Sequence, residues 1–377
     1  MTMTLLKRLA GSVAVLLAMI LLLAGVLYVK SGGLPTPLNV PPGIDLAATP
    51  PPAAVRCERL RIPVKLGPRG LFRYDIVGEL CAPEEPDGRV LQVLLSGSGY
   101  GTLYWDFPYQ PDRYSYVRAA WQAGYATFNY YRPGLGESDH PFGALLTVDR
   151  HAYVLAQLLE VLSQQHDFAG VVTVGHSFGS VTAIAHALAR PDQVDGIVLT
   201  GFAHNTNPGF IMAMREGVDF AAFKGPFAGK IIDPTYLISK PGMRKEIFYT
   251  PGNADPAVIA VDEANRQPTT IGETISASKY FGPQSRELRV PVLLLLGDDD
   301  FVVCGGDLDC KNHAATIAHE EAYFGPASCL EMVMLPDTGH DSALHLEAPA
   351  SFARMLDWVG RRIGGDSGAP ASAPCGE

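Results

Sequence analysis

The chain has 377 residues, 47% of them hydrophobic and 18% charged, a balance that excludes an intrinsically disordered protein and a many-spanning transporter. Its 29 basic and 39 acidic residues leave a formal charge of -10 with no long Lys/Arg run, which argues against a nucleic-acid backbone as partner. The length suits one large α/β domain carrying an insertion.

After Lys7 and Arg8 the chain runs from Leu9 to Val29 without a charge, and about 20 apolar residues is the length that spans a bilayer as a helix. A cleaved signal peptide is the rival, but its apolar region is usually about 7 to 15 residues before an A-x-A-like site, which Ala24-Gly25-Val26 matches poorly. Both readings place Lys7 and Arg8 in the cytoplasm and everything after Lys30 outside. Residues 1–30 are therefore expected to be a membrane anchor or signal segment, with the rest membrane-anchored or secreted. Residues 31–55, rich in Gly and Pro (Pro35, Pro37, Pro41, Pro42, Pro50, Pro51, Pro52), read as an extended linker or stalk. Residues 364–377 hold few large apolar side chains and read as a disordered tail.

Six cysteines fit an oxidising compartment. Arg56 to Val64 and Phe72 to Leu80 read as strands joined by the turn signal Gly67-Pro68-Arg69-Gly70. A hairpin centred at Arg69 sets Cys57 opposite Cys81, so these two are predicted to be bridged. Cys304, Cys310 and Cys329 allow a second bridge of undetermined connectivity, which leaves Cys375 over. A metal site at Cys304, Cys310 and His313 needs a fourth ligand and matches no common zinc spacing, so no metal is expected.

The remaining elements alternate. Val90 to Leu95 is an apolar strand ending in Ser96-Gly97-Ser98-Gly99-Tyr100-Gly101, and a helix follows near Tyr114 to Ala123. Tyr125 to Tyr130 and Gly170 to Val174 are strands, Phe178 to Arg190 a helix, and Gly196 to Thr200, Leu293 to Leu296 and Met332 to Leu335 further strands. Continuous apolar strands separated by helices imply a mostly parallel sheet covered by helices on both faces, with ligands at the carboxyl ends of the strands. Residues 204–288 break this rhythm and read as a cap or lid inserted between core segments 56–203 and 289–363.

Gly175-His176-Ser177-Phe178-Gly179 is a G-x-S-x-G sequence between a strand and a helix, the context that makes Ser177 a candidate nucleophile on a sharp turn. A serine hydroxyl needs an imidazole to take its proton. His340, in the loop Leu335-Pro336-Asp337-Thr338-Gly339-His340 after a strand, is the expected base. His345 is expected to face solvent on a following helix, and His176 to point away from the nucleophile. Asp298-Asp299-Asp300 follows the preceding strand; Asp300, three residues past Gly297, is the favoured triad acid, with Asp298 and Asp299 as alternatives. The chain order Ser, Asp, His matches that of the α/β-hydrolases.

With these motifs the sequence resembles the α/β-hydrolase superfamily from about Val90 to Val359. Tyr131-Arg132-Pro133-Gly134-Leu135-Gly136-Glu137-Ser138 resembles its R-x-G-x-G-x-S loop, and Gly339-His340 its catalytic histidine loop. Trp105-Asp106-Phe107-Pro108-Tyr109, Tyr125 to Tyr130 and Leu199-Thr200-Gly201-Phe202 resemble an exported group of such hydrolases in fungi and actinomycetes. The family's loop after the third strand usually begins His-Gly; here it begins Ser96-Gly97. By position, the backbone N–H groups of Ser98 and Phe178 would form the oxyanion hole, with Gly99 or Tyr100 as alternative donors. Tyr100, Tyr104, Trp105, Phe107 and Tyr109 line a pocket or pack in the core. The resemblance implies a serine esterase or lipase acting on a small apolar ester without a cofactor. An amidase, peptidase or acyltransferase would use the same triad, and a non-catalytic surface binding module is the reading from another class.

Overall fold

A computed structural model describes residues 3–29, 32–46 and 54–364. The chain opens with helix α1 (Met3–Val29), in which Val13, Leu16, Leu17 and Leu21 expose their side chains. Among the described residues no helix is long and apolar enough to cross a membrane, so the expected span over Leu9 to Val29 is not recovered. The expected disordered tail, apart from Gly364, and Cys375 lie outside the described residues.

Strands β1 (Val55–Val64) and β2 (Tyr74–Pro83) form the expected hairpin, and its register sets Cys57 opposite Cys81. They are disulfide-bonded. Strand β3 (Val90–Leu95) is followed by the short helices α2 (Pro111–Tyr114) and α3 (Tyr116–Gln122), then by strand β4 (Ala126–Tyr130). Helix α4 (Val148–Gln165) leads to β5 (Gly170–His176), α5 (Phe178–Ala189) and β6 (Gly196–Thr200). Every residue of β3, β4, β5 and β6 is buried, the pattern of strands covered on both faces.

Residues 204–288 carry α6 (Pro208–Gly217), β7 (Val218–Phe220), β8 (Tyr236–Ser239), α7 (Met243–Ile247), α8 (Pro256–Ala264), β9 (Thr269–Thr270) and α9 (Ile271–Ala277). The three strands make a small sheet of their own. The chain then returns through β10 (Val292–Gly297), α10 (His313–Glu321), β11 (Glu331–Leu335) and α11 (Ala348–Arg362). The main sheet has eight strands in the order β1-β2-β4-β3-β5-β6-β10-β11. Pairings with β2 are antiparallel and all others parallel. From β3 the chain passes first to β4 on one side and then to β5 on the other, and a crevice forms outside the carboxyl ends at such a reversal.

The Pro-rich stretch does not stand off as a free stalk where it is described. Leu34 N donates to Gly136 O at 2.7 Å, and Asn39 exchanges hydrogen bonds with Asn265. Ile44 and Leu46 pack against the core.

Candidate active site

Four strand ends supply the site. Leu95 pairs with Gly175 in the sheet and Gly297 with Leu335, so the loop after β3 lies beside the β5–α5 turn, and the aspartates after β10 lie beside the His340 loop.

Ser177 stands on the β5–α5 turn with φ 53° and ψ -117°, a region that L-residues avoid and that marks functional strain. Its two glycines are demanded by contact: a Cβ on Gly175 would lie 2.5 Å from Ser180 N, and one on Gly179 would lie 2.1 Å from Leu95 O. Ser177 is half-buried, whereas His340 and Asp300 are buried.

Of the three adjacent aspartates, Asp300 is the one that meets His340: its Oδ2 and Oδ1 lie 2.8 and 3.0 Å from His340 Nδ1. Val302 N donates to Asp300 Oδ1 at 2.9 Å, which fixes the carboxylate. Asp298 turns the other way, to Lys311 Nζ at 2.9 Å and His313 Nε2 at 3.0 Å, and Asp299 also pairs with Lys311 at 2.7 Å. Burial disfavours the His340 cation, but the facing Asp300 carboxylate outweighs it and holds the imidazole above its ordinary value of 6.5.

The loop after β3 passes beside Ser177. A Cβ on Gly97 would lie 3.1 Å from Ser177 Cβ. Ser98 follows directly, and Phe178 opens α5 next to Ser177. A helix's first N–H groups have no intrahelical acceptor, so Phe178 N–H is available as an anion donor.

One histidine expectation is corrected. His345 is fully buried on the loop before α11: its Nε2 accepts from Gly339 N and Thr250 N, both at 3.1 Å, and its Nδ1 lies 2.8 Å from Asp341 O. It splints the loop that carries His340. Burial lowers its pKa, as befits a ring whose Nε2 must stay an acceptor. His176 lies buried under His340, with ring centroids 4.8 Å apart, and stacks on Tyr104 at 4.1 Å. Burial, then the His340 charge, holds His176 well below the ordinary value.

Sequence reasoning missed a buried network beside His340. Asp341 accepts from Tyr100 Oη and lies 3.1 Å from His176 Nε2. The Tyr100 hydroxyl also reaches Asp262 Oδ2 at 3.0 Å, where Tyr249 donates at 2.9 Å, and Arg244 pairs with Asp262. Burial pushes the Asp341 carboxyl up to about 6 despite the neighbouring His340, and pushes Asp262 up to about 6 despite Arg244. Asp341 could have been suspected from its place next to His340; Asp262 and Arg244 sit in a stretch without motifs. Of the aromatics after the loop, Tyr104, Trp105 and Phe107 take the core alternative, buried with Tyr116 and Phe352.

Cys304 and Cys310 are bonded to one another, so neither is a metal ligand, and their loop begins where Cys304 N donates to Asp300 O at 2.8 Å. Cys329 is also disulfide-bonded.

A second Ser/His/carboxylate array occurs away from this site. Ser285 Oγ lies 2.9 Å from His204 Nε2, and His204 Nδ1 lies 2.7 Å from Glu320 Oε2. All three are buried, Ser285 and Glu320 at 0% exposure, so this array ties residues 283–287 and α10 to the end of β6 and offers no substrate a path.

The profile of the alpha/beta hydrolase family matches residues 92–355. The 2-hydroxy-6-oxononadienedioate/2-hydroxy-6-oxononatrienedioate hydrolase of Paraburkholderia phymatum is 26% identical over 223 residues, 56% of this chain and 72% of that protein. Lipase LipV of Mycobacterium tuberculosis is 46% identical over 65 residues, 17% of this chain and 23% of that protein. Among solved structures, a thermophilic esterase from Thermogutta terrifontis superposes with a TM-score of 0.53 at 16% identity, covering 81% of this chain and 99% of that one. With its G-x-S-x-G turn and eight-stranded sheet in place, the chain belongs to the alpha/beta hydrolase family and is a hydrolase.

Proposed function

We propose that the protein hydrolyses a carboxylic ester by acyl transfer through Ser177, His340 and Asp300. The observation that carries the reading is the buried Asp300–His340 pair at 2.8 Å, set at the strand ends beside a serine held at φ 53°. Ser177 Oγ attacks the ester carbonyl as His340 Nε2 takes its proton, and the anion that develops on oxygen is held by Ser98 N–H and Phe178 N–H. His340 then protonates the leaving alcohol. Water, deprotonated by the same imidazole, attacks the acyl-enzyme and releases the acid. Asp300 keeps Nδ1 protonated, so that Nε2 is the basic nitrogen, and stabilises the cation. These residues require no metal or organic cofactor.

Residues 204–288 are the cap over this chemistry, inserted between core segments 56–203 and 289–363. The catalytic domain lies outside the cytoplasm, with α1 as the export segment. The disulfides Cys57–Cys81 and Cys304–Cys310 support that location. The printed names of the relatives, hydrolases and a lipase, support hydrolysis and leave the acyl group open.

The test is hydrolysis of p-nitrophenyl acyl esters of increasing chain length by the full chain beside Ser177→Ala, with a fluorophosphonate label. Activity and labelling lost together in the variant are expected, and the chain-length optimum sizes the pocket. A folded protein that cleaves no ester and takes no label would instead favour the non-catalytic binding module. Preference for anilides, or for an added alcohol acceptor over water, would move the assignment to amidase or acyltransferase.

A further inference from the structure

The loop Ser96–Gly101, which begins immediately after β3, is gripped from outside by two buried guanidinium groups. Arg132 Nη1 donates to Ser96 O at 2.6 Å and to Gly97 O at 2.8 Å. Arg244 Nη2 donates to Gly99 O, which also accepts from Gln267 N at 2.9 Å. Both side chains are buried.

Each cation is neutralised from the inserted segment. Arg132 Nη2 pairs with Glu273 Oε1 at 3.0 Å, and that carboxylate is fixed further by Thr269 Oγ1 at 2.9 Å and Thr270 N at 3.0 Å. Arg244 pairs with Asp262, itself held by the hydroxyls of Tyr100 and Tyr249. Their planes also cover the neighbouring rings: Arg132 stands 5.0 Å over Phe178 and Arg244 4.1 Å over Tyr100.

The consequence follows from peptide geometry. In a planar trans peptide the C=O and the next residue's N–H point in opposite directions. Fixing the Gly97 carbonyl on Arg132 therefore turns Ser98 N–H away from the guanidinium, and fixing Gly99 O on Arg244 turns Tyr100 N–H back onto Gly97 O, which it reaches at 3.2 Å, so that the two arginines brace one turn around the Gly97–Ser98 peptide. Gly97 adjoins Ser177, as its Cβ position shows. A donor aimed in advance at the place where charge develops, inside a low-dielectric site, is the arrangement that stabilises an oxyanion without reorganisation.

We propose that Arg132 and Arg244, each neutralised by a carboxylate of the insertion, are positioning residues that set the oxyanion-binding peptide of the Ser96–Gly101 loop. The inference rests on the serine-hydrolase reading above. It makes the insertion part of the catalytic apparatus: Asp262 on α8 and Glu273 on α9 act on the reacting carbonyl through two arginines and a loop. Lysine cannot replace either arginine, because one ammonium does not present the planar fork by which Arg132 reaches two carbonyls and a carboxylate, and Arg244 a carbonyl and a carboxylate, together.

The experiment uses full-length wild type, Ser177→Ala, Arg132→Lys and Arg244→Lys. It measures kcat and KM on the best p-nitrophenyl ester, and the inhibition constant of a trifluoromethyl ketone whose serine adduct carries the oxyanion. Each lysine variant is expected to lose about 10-fold to 100-fold in kcat, below the roughly 100-fold to 1000-fold seen when a donor is removed outright. KM should stay within about threefold, since only transition-state contacts are lost. Ketone affinity should fall by the same factor as kcat, while the matching secondary alcohol, which forms no adduct, binds unchanged. Asp262→Asn, which keeps the shape of the pair, is the substitute if a lysine variant shows no cooperative thermal transition, with the same expectation. Folded variants with wild-type kcat and ketone affinity overturn the proposal, as does a loss carried entirely by KM. A wild type that neither cleaves esters nor takes the fluorophosphonate label overturns the serine-hydrolase reading itself; activity that survives in Ser177→Ala does likewise.

Discussion

Replacing Glu273 by glutamine tests the energetics of the Arg132 pair by a property independent of catalysis. Arg132 at 3.0 Å and the surrounding donors hold the buried Glu273 carboxyl at about 2, against an ordinary 4.5, even though burial alone would raise it. That depression of about 2.5 units, at 1.36 kcal/mol per unit, corresponds to about 3 kcal/mol of preferential stabilisation of the charged form in the folded protein. Removing one partner of a buried ion pair costs a similar amount, about 3 to 5 kcal/mol. The sign follows from the depressed value: the contribution is fully present above the unfolded value of 4.5 and is lost as pH falls through about 2. Urea unfolding of wild type and Glu273→Gln should therefore differ by about 3 kcal/mol at pH 7, and the difference should narrow as pH is lowered from 5 toward 2. Equal stabilities at pH 7, or a gap that stays constant down through that window, would refute the assignment of the stabilisation to the Glu273 charge.

The imidazole of His340 is held above 6.5 and must be neutral to accept the serine proton, so kcat/KM should fall with decreasing pH through a midpoint above 6.5. Asp300→Asn should lower that midpoint, because burial then acts on the ring against the Asp341 charge alone, and should cut kcat by about 10⁴, as the loss of a triad carboxylate does elsewhere; a wild-type midpoint at or below 6.5 contradicts the pairing. Gly179→Ala sets a methyl 2.1 Å from Leu95 O, backbone against backbone, and should lower the denaturant midpoint by the equivalent of about 1 to 3 kcal/mol. Serine replacement of both cysteines in each bridge should cost about 3.5 kcal/mol for Cys57–Cys81, separated by 24 residues, and about 2.4 kcal/mol for Cys304–Cys310, separated by 6, on loop-closure entropy; calorimetry that reverses this order would show that the bridges act otherwise.

Much of the fold was legible because parallel strands buried on both faces announce themselves as continuous apolar runs, such as Val90 to Leu95 and Val292 to Gly297. Cys57–Cys81 could be read from hairpin register, a purely local property. The strained turn at Ser177 was legible because it demands glycines within two residues on either side. The Arg132–Glu273 and Tyr100–Asp262 contacts were not, since their members lie 141 and 162 residues apart and no local pattern encodes a pairing across that distance. His345 was misplaced for a different reason: helix α11 starts only at Ala348, which leaves His345 in a loop whose backbone N–H groups need an internal acceptor. Its polarity suggested water, but burial with full hydrogen-bond satisfaction was the better solution.

The contacts made by residues 32–46 fix how far the core can stand from α1. A free spacer from residue 31 to 55 in polyproline form would extend about 3.1 Å per residue, or roughly 78 Å. Leu34 is already hydrogen-bonded to Gly136, however, and only five steps of chain separate it from Val29 at the end of α1. Five residues span at most about 18 Å. The folded core is thus held close to its first helix: the segment around Gly136 lies within about 2 nm of the point where α1 ends.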